Sequence, residues 1–202
     1  MLNLLRNSIN AIRSISGLDS DASAFITAAG LTDPTQKSAI NTLVKDMKAA
    51  GLWTKMKAVY PMVGGTATSM KFNLKDPRDL DAAFRLTWSG GWTYSATGAT
   101  PNGTNAYADT KFIPNNNGLT INDNSISYYS RTSAANGGTQ FYEMGSSNTL
   151  GTTDLYSLFT RRNGDTAGYD VGDYTKNRNS FTNTDGSGFY LGKVNSDLTS
   201  KL

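Results

Sequence analysis

The sequence predicts a mainly β protein, built as an antiparallel sandwich or barrel, with a short α-helical region before it. Helical periodicity is confined to about the first 60 residues, and the rest of the 202-residue chain alternates apolar and polar side chains in short segments. Gly and Asn turn signals separate these segments without intervening helices, which is typical of antiparallel sheets. The 20 glycines and the 17% charged share also indicate a turn-rich chain with a polar surface.

The opening segment is predicted to form a short amphipathic helix. Leu5, Ile9 and Ile12 recur at three- and four-residue spacing and form one apolar stripe. A helix of this length is marginal by itself, so the stripe needs a partner. We therefore predict that these three residues mediate attachment or oligomerisation. Polar residues interrupt every turn, so the segment lacks the continuous apolar stretch of a signal peptide.

A second helix is predicted to begin at Ser20 or Asp21, either of which can act as its N-cap, and to end before Gly30. Its predicted inner face consists of Ala24, Phe25 and Ala28.

The third predicted helix has the clearest start and stop signals. Asp33 is a favourable N-cap, Pro34 suits the first helical position, and Gln36 has the spacing of a capping box. Gly51 provides a C-terminal stop. The predicted apolar face consists of Ile40, Leu43, Val44, Met47 and Ala50.

The remainder of the chain is predicted to form strands that are separated by tight turns. Asn-Gly and Asp-Gly pairs favour the positive φ angles that hairpins require. The predicted strands are Phe84 to Trp88, Ala106 to Phe112, Ser125 to Arg131, Gln140 to Met144, Leu155 to Arg161 and Gly188 to Val194.

The residue types that the chain lacks exclude several classes of site. Without Cys or His, the chain cannot form a disulfide, a Cys/His zinc site, a Ser-His-Asp triad or a Cys-His dyad. The net charge is only +3 and the basic residues are dispersed, which argues against nucleic-acid binding. No apolar run approaches the roughly 20 residues of a membrane helix. We expect no cofactor and no membrane insertion.

Several stretches of the chain resemble tailed-phage virion proteins that carry lectin-like sandwiches. These stretches are LTDPTQKSAINTL, KFNLKDPRDLDAAFRL followed by SGGW, SYYSRT and GFYLGKV. The resemblance covers most of the chain from about residue 20 onward. In this family such regions occur in tail fibres, head fibres and other proteins of the particle surface.

The resemblance implies a concanavalin A-like or laminin G-like jelly roll over residues 63–202, preceded by a helical attachment and oligomerisation region over residues 1–62. It also implies a protein that is made in the host cytoplasm and located on the particle surface. The implied partners are other virion proteins, further copies of the chain, most simply in a trimer, and a bacterial surface glycan. The implied function is that of a fibre or adhesin component that binds host glycan or receptor.

The chain departs from the family pattern at its C-terminus. Members of the family continue with further strands after the position of Ser-Lys-Leu, where this chain ends. The sandwich is therefore expected to be shortened or completed by a partner, because an open sheet edge invites pairing with another chain. Leu198 and Leu202 are the predicted assembly residues at this edge.

The candidate glycan-binding residues are aromatic and amide side chains. Aromatic rings stack on the apolar faces of sugars, and amides form hydrogen bonds with hydroxyl groups. The alternative interpretation is that the rings belong to the core and that Asn beside Gly serves turn chemistry. The candidates are Trp88, Trp92, Tyr94, Asn105 and Tyr107.

The sequence favours a protein that is not an enzyme. A glycoside hydrolase needs two carboxyl groups that face each other across a cleft, and Glu143 is the only glutamate on a predicted strand. A glycan-cleaving virion enzyme remains an alternative, as does a capsid or tail decoration protein without a ligand. No metal site is expected, although Asp165, Asp170 and Asp173 form an oxygen-rich cluster that could bind calcium. Its spacing is not that of an EF-hand, which favours a solvated loop over a calcium site.

Overall fold

A computed structural model of the protein describes residues 17–133, 142–147, 155–162, 164–172, 178–194 and 200–201. It confirms a mainly β protein with antiparallel sheets and few helices. The chain forms two compact units, Met1–Phe112 and Ile113–Leu202, called the N-terminal and C-terminal units below. None of the helices in the described ranges is long and apolar enough to span a membrane.

The described part of the N-terminal unit begins with two α-helices. Helix α1 spans Ser20–Ala28, and its N-cap is Asp19, one residue before the predicted cap, because the Asp19 carboxylate accepts a hydrogen bond from the Asp21 N–H at 2.9 Å. Helix α2 spans Pro34–Ala49, and the Asp33 carboxylate caps it as predicted. A one-turn helix, α3, follows at Ala67–Met70.

The two longer helices bury different residues from those that the sequence predicted. In α1, Ala24 is exposed because the packed stripe follows Ala22, Phe25 and Ile26 instead. In α2, the buried residues are Ile40 and Val44, and Met47 packs beside them. The predicted core residues Leu43 and Ala50 are exposed on α2 and just after it, since they lie to the side of this stripe.

The core of the N-terminal unit extends past the predicted boundary between residues 62 and 63. Phe72 and Leu74, from beyond that boundary, lie in one cluster with the helices. The helical residues therefore share a core with later parts of the chain. The buried members of this cluster are Ala22, Phe25, Ile26, Ala29, Leu31, Ile40, Val44, Trp53, Phe72 and Leu74.

Four short strands complete the N-terminal unit. Strand β1, Thr87–Ser89, pairs antiparallel with β4, Tyr107–Asp109, and β2, Trp92–Ser95, pairs antiparallel with β3, Gly98–Pro101. The strand that was predicted to begin at Phe84 begins at Thr87 instead. Phe84 adopts a left-handed conformation with a φ of 59°, which a strand does not allow. The β2–β3 hairpin was not predicted.

The C-terminal unit contains two antiparallel sheets. The three-stranded sheet has the order β11-β10-β5 and the four-stranded sheet has the order β6-β7-β8-β9. The strands are β5 Asn124–Ser130, β6 Met144–Ser146, β7 Leu155–Arg162, β8 Thr166–Gly172, β9 Arg178–Thr182, β10 Gly188–Val194 and β11 Ser200–Lys201. Strands β8 and β9 were not predicted, because their Gly- and Asp-containing sequence resembles a loop.

The two sheets of the C-terminal unit share a hydrophobic cluster. Tyr169 of the four-stranded sheet lies against Gly192 of the three-stranded sheet, and its hydroxyl donates a hydrogen bond to Oδ1 of Asn124. Both sheets therefore have one face directed to a common core. The cluster contains Tyr156, Leu158, Tyr169, Val171 and Val194, with Ile126, Tyr128 and Tyr190 packed against it.

Candidate functional site

Three of the predicted glycan-binding residues form an aromatic cluster in the N-terminal unit, called the tryptophan cluster below. The ring centroids of Trp88 and Trp92 lie 4.9 Å apart, with an interplanar angle of 68°. Those of Trp88 and Tyr94 lie 5.2 Å apart at 78°. These are edge-to-face contacts, the arrangement that aromatic pairs prefer. All three side chains are half-buried, so part of each residue remains open to solvent.

Main-chain carbonyl groups orient both indoles of the cluster. Trp88 Nε1 donates a hydrogen bond to the carbonyl oxygen of Ala67 at 3.0 Å, at the start of helix α3. Trp92 Nε1 donates to the carbonyl oxygen of Ser89 at 2.9 Å. Because the polar atom of each indole is already satisfied, the part of the cluster left for a ligand is aromatic ring surface.

A glycine turn brings the two tryptophans together. Gly90 has a φ of 73°, which side-chain-bearing residues rarely adopt, and a Cβ there would come within 2.8 Å of the Ala106 Cα. The chain can therefore reverse between β1 and β2 in close contact with the loop that precedes β4.

Asn105 lies in that loop and takes part in turn chemistry. Its Oδ1 accepts a hydrogen bond from Nδ2 of Asn102 at 2.8 Å. Oδ1 of Asn102 in turn accepts bonds from the backbone N–H groups of Thr104, Asn105 and Ala106. This arrangement closes the loop between β3 and β4, as the alternative interpretation of Asn beside Gly predicted.

Tyr107 is not part of the tryptophan cluster. It is paired with Ser89 in the β1–β4 ladder, whereas Trp88 is paired with Ala108. Because neighbouring residues on a strand point to opposite faces, Tyr107 and Trp88 lie on opposite faces of this ladder. Tyr107 is 61% exposed, so it is available as a surface residue but separate from the cluster.

The part of the sequence that forms the tryptophan cluster contains no charged residues. The segment 87–108, which includes all of β1, β2 and β3, contains no Asp, Glu, Lys or Arg. Burial raises the pKa of the Tyr94 hydroxyl, so this group stays neutral at physiological pH and can both donate and accept hydrogen bonds. The site suits a neutral ligand that has apolar faces and hydroxyl groups.

The predicted calcium ligands are engaged with arginines where the structure describes them. Asp165 accepts a hydrogen bond from Nε of Arg161 at 2.9 Å. Asp170 is fully buried, and its carboxylate binds the Arg178 guanidinium through two bonds of 2.5 and 2.7 Å. Hydrogen bonding to this carboxylate raises the pKa of Arg178. Within the described ranges, no three acidic, His or Cys side chains group as metal ligands.

Glu143, the residue on which the enzyme alternative depends, is held by a single residue of a neighbouring strand. Its carboxylate accepts hydrogen bonds from the Thr160 backbone N–H at 2.9 Å and from the Thr160 hydroxyl at 2.7 Å. The carboxylate therefore links strand β7 to the segment that precedes strand β6.

Six of the predicted site residues lie outside the residues that the structure describes. They are Leu5, Ile9, Ile12, Asp173, Leu198 and Leu202.

An aromatic and arginine cluster on the four-stranded sheet was missed by sequence reasoning. The Arg162 guanidinium lies 4.6 Å from the ring centroid of Phe159 and 5.5 Å from that of Tyr142. The Arg178 guanidinium lies 5.4 Å from the Phe159 ring. The only local signal was the pair Arg161-Arg162 after an aromatic strand, which by itself does not indicate a site.

Comparison of the chain with protein-family models, with curated proteins and with solved structures found no significant match. The resemblance to tailed-phage virion proteins therefore stays an expectation that rests on the quoted motifs. Functional inference depends on the geometry of the two clusters described above.

Proposed function

We propose that the protein is a virion structural protein of a tailed phage, a surface fibre or adhesin component that binds a host glycan through the tryptophan cluster. The family resemblance supports the particle location. Two antiparallel sheets with a common core in the C-terminal unit support a lectin-like β-sandwich of the concanavalin A-like or laminin G-like kind.

The observation that carries the glycan-binding part of this proposal is the tryptophan cluster. Trp88, Trp92 and Tyr94 are gathered in a partly exposed cluster, in a segment of sequence without charged residues, and both indole N–H groups already have backbone partners. Such ring surface suits stacking on the apolar face of a sugar, and the Tyr94 hydroxyl can bond to a sugar hydroxyl.

The engagement of Glu143 supports a binding role over a catalytic one. Both oxygens of its carboxylate already accept hydrogen bonds from Thr160 of β7, whereas glycoside cleavage would need a carboxyl group directed at the substrate.

The proposal is tested by binding of the purified protein to polysaccharide from the host surface, measured by calorimetry. We expect Trp92→Ala to weaken binding about tenfold or more, because it removes one of the two indole stacking surfaces of the cluster. Tyr107→Ala is the matched control, since it removes an exposed ring from the opposite face, and it should leave the affinity unchanged. Circular dichroism of each variant verifies that it is folded.

Equal loss in the two variants would contradict the proposed site. Absence of binding by the wild-type protein, together with its detection in intact particles by electron microscopy, would favour a decoration protein without a ligand. Release of reducing ends that Glu143→Gln abolishes would favour the glycan-cleaving alternative.

A further inference from the structure

A β-bulge on strand β7 determines the position of Arg162. The β7–β8 register pairs Phe159 with Gly168 but Arg162 with Thr166, so one extra residue lies between them on β7. On a regular strand, side chains three residues apart point to opposite faces. The bulge instead lets Arg162 reach the Phe159 ring on the outer face of the sheet. Bulges that re-aim a side chain in this way are common next to functional sites.

The Arg162 guanidinium is held between aromatic rings. It lies over Phe159 at 4.6 Å and over Tyr142 at 5.5 Å, and these two rings form an edge-to-face pair. In the part of the chain that the structure describes, no hydrogen bond or ion pair engages this guanidinium. Stacking on rings restricts the side chain without occupying its five N–H donors.

The second arginine beside the Phe159 ring already has a carboxylate partner. Arg178, the other arginine over Phe159, is neutralised by the buried Asp170, which also accepts a hydrogen bond from the Ser157 hydroxyl at 2.9 Å. A guanidinium that aromatic rings hold in place presents a planar fork, which matches the geometry of a carboxylate.

Tyr142 adds an aromatic surface beside this fork. The residue is 43% exposed, while Phe159 beneath the arginines is buried. An exposed ring next to an arginine fork can contact the apolar face of a sugar while the guanidinium binds its acidic group.

We propose that Arg162 and Tyr142 form a second carbohydrate site, which binds the carboxylate of an acidic sugar residue in a polysaccharide. This inference rests on the proposed glycan-binding function and assigns it a ligand class. The Arg162 fork donates two parallel N–H···O bonds to the carboxylate, and the exposed Tyr142 ring contacts the sugar ring.

The test compares binding of tetramannuronate, a carboxylated tetrasaccharide, with binding of neutral cellotetraose by calorimetry. We expect the wild-type protein to bind tetramannuronate, and Arg162→Gln to weaken that binding about tenfold or more, because a charge-assisted bidentate contact is lost. Arg162→Lys retains the charge but not the fork, and it should also bind more weakly than the wild type.

Lys193→Gln is the matched control, because it removes an equal charge from an exposed position of the three-stranded sheet. It should leave tetramannuronate binding unchanged. An equal loss of affinity in Lys193→Gln and Arg162→Gln would show that binding depends only on net charge, and it would overturn the inference. Unchanged affinity in folded Arg162→Gln, or binding of cellotetraose alone, would overturn it as well. In that last case the proposed function would stand, since the tryptophan cluster accounts for neutral ligands.

Discussion

At the scale of single residues, two glycines of the C-terminal unit make room for aromatic rings. Gly168 on β8 lies under the ring of Phe159, and a Cβ added there would come within 2.8 Å of Phe159 Cε2 and 3.0 Å of the Asn179 carbonyl oxygen. A Cβ added at Gly192 on β10 would likewise come within 2.6 Å of Cδ1 of Tyr169. These contacts form on opposite sides of the four-stranded sheet, since Phe159 belongs to the outer face and Tyr169 to the shared core.

The substitution Gly168→Ala should destabilise the C-terminal unit by about 1–3 kcal/mol, because the added methyl group overpacks the Phe159 ring. Differential scanning calorimetry would measure the loss. The double variant Gly168→Ala with Phe159→Leu is the control, since a smaller side chain gives the methyl group space. Its loss should be less than the sum of the two single losses. Additive losses would mean that the ring and the glycine do not interact as described.

At the scale of the element, the first turn of helix α2 carries both a local capping contact and a contact with a distant segment of the chain. The Asp33 carboxylate accepts hydrogen bonds from the N–H groups of Thr35 at 2.6 Å and Gln36 at 3.1 Å. The Gln36 side chain does not return to the N-cap as a capping box predicts. It accepts a hydrogen bond from the Gly64 N–H at 3.1 Å instead, and thereby joins the helix start to a glycine turn.

Asp33→Ala should lower the free energy of unfolding of the N-terminal unit by about 1 kcal/mol, the usual effect of losing an N-cap. Tryptophan fluorescence during urea unfolding reports on this unit specifically, because Trp53, Trp88 and Trp92 all lie within it. Asp46→Ala is the matched control: it removes a carboxylate from an exposed position near the helix C-terminus, where negative charge is not favoured. Equal destabilisation by both variants would contradict capping by Asp33.

At the scale of the whole molecule, the chain is organised as two units with separate cores. Their clusters share no residue: one is centred on α1 and α2, and the other lies between the two sheets. The predicted assembly residues Leu5, Ile9 and Ile12 lie outside the described residues, so their role stays a prediction.

We expect the full chain to be a trimer in solution and a variant that lacks residues 1–16 to be monomeric. The apolar stripe of the deleted segment needs a partner, and a second copy of the chain provides one. Light scattering coupled to size-exclusion chromatography measures both masses, and tryptophan fluorescence verifies that the N-terminal unit of the variant is folded. A monomeric wild type, or a deletion variant that remains trimeric, would contradict the assembly proposal.

The sequence by itself determined the elements whose signals are local. Asp33 and Pro34 mark the start of α2 because capping depends only on residues within one turn, and strand β10 has the predicted bounds Gly188–Val194. The alternation of β5 and the core of β7 also follow from side-chain polarity along one strand. The strand patterns indicated a mainly β fold, and the aromatic and amide composition placed Trp88, Trp92 and Tyr94 among the candidates.

Only the tertiary structure decided the features that depend on distant partners. Strand β8 was not predicted because Asp170 resembles a loop residue until Arg178 neutralises it in the sheet. The ladder register separates Tyr107 from the tryptophan cluster, and the bulge on β7 brings Arg162 to the Phe159 ring. Register and bulges are set by the pairing strand, so one segment of sequence does not contain them.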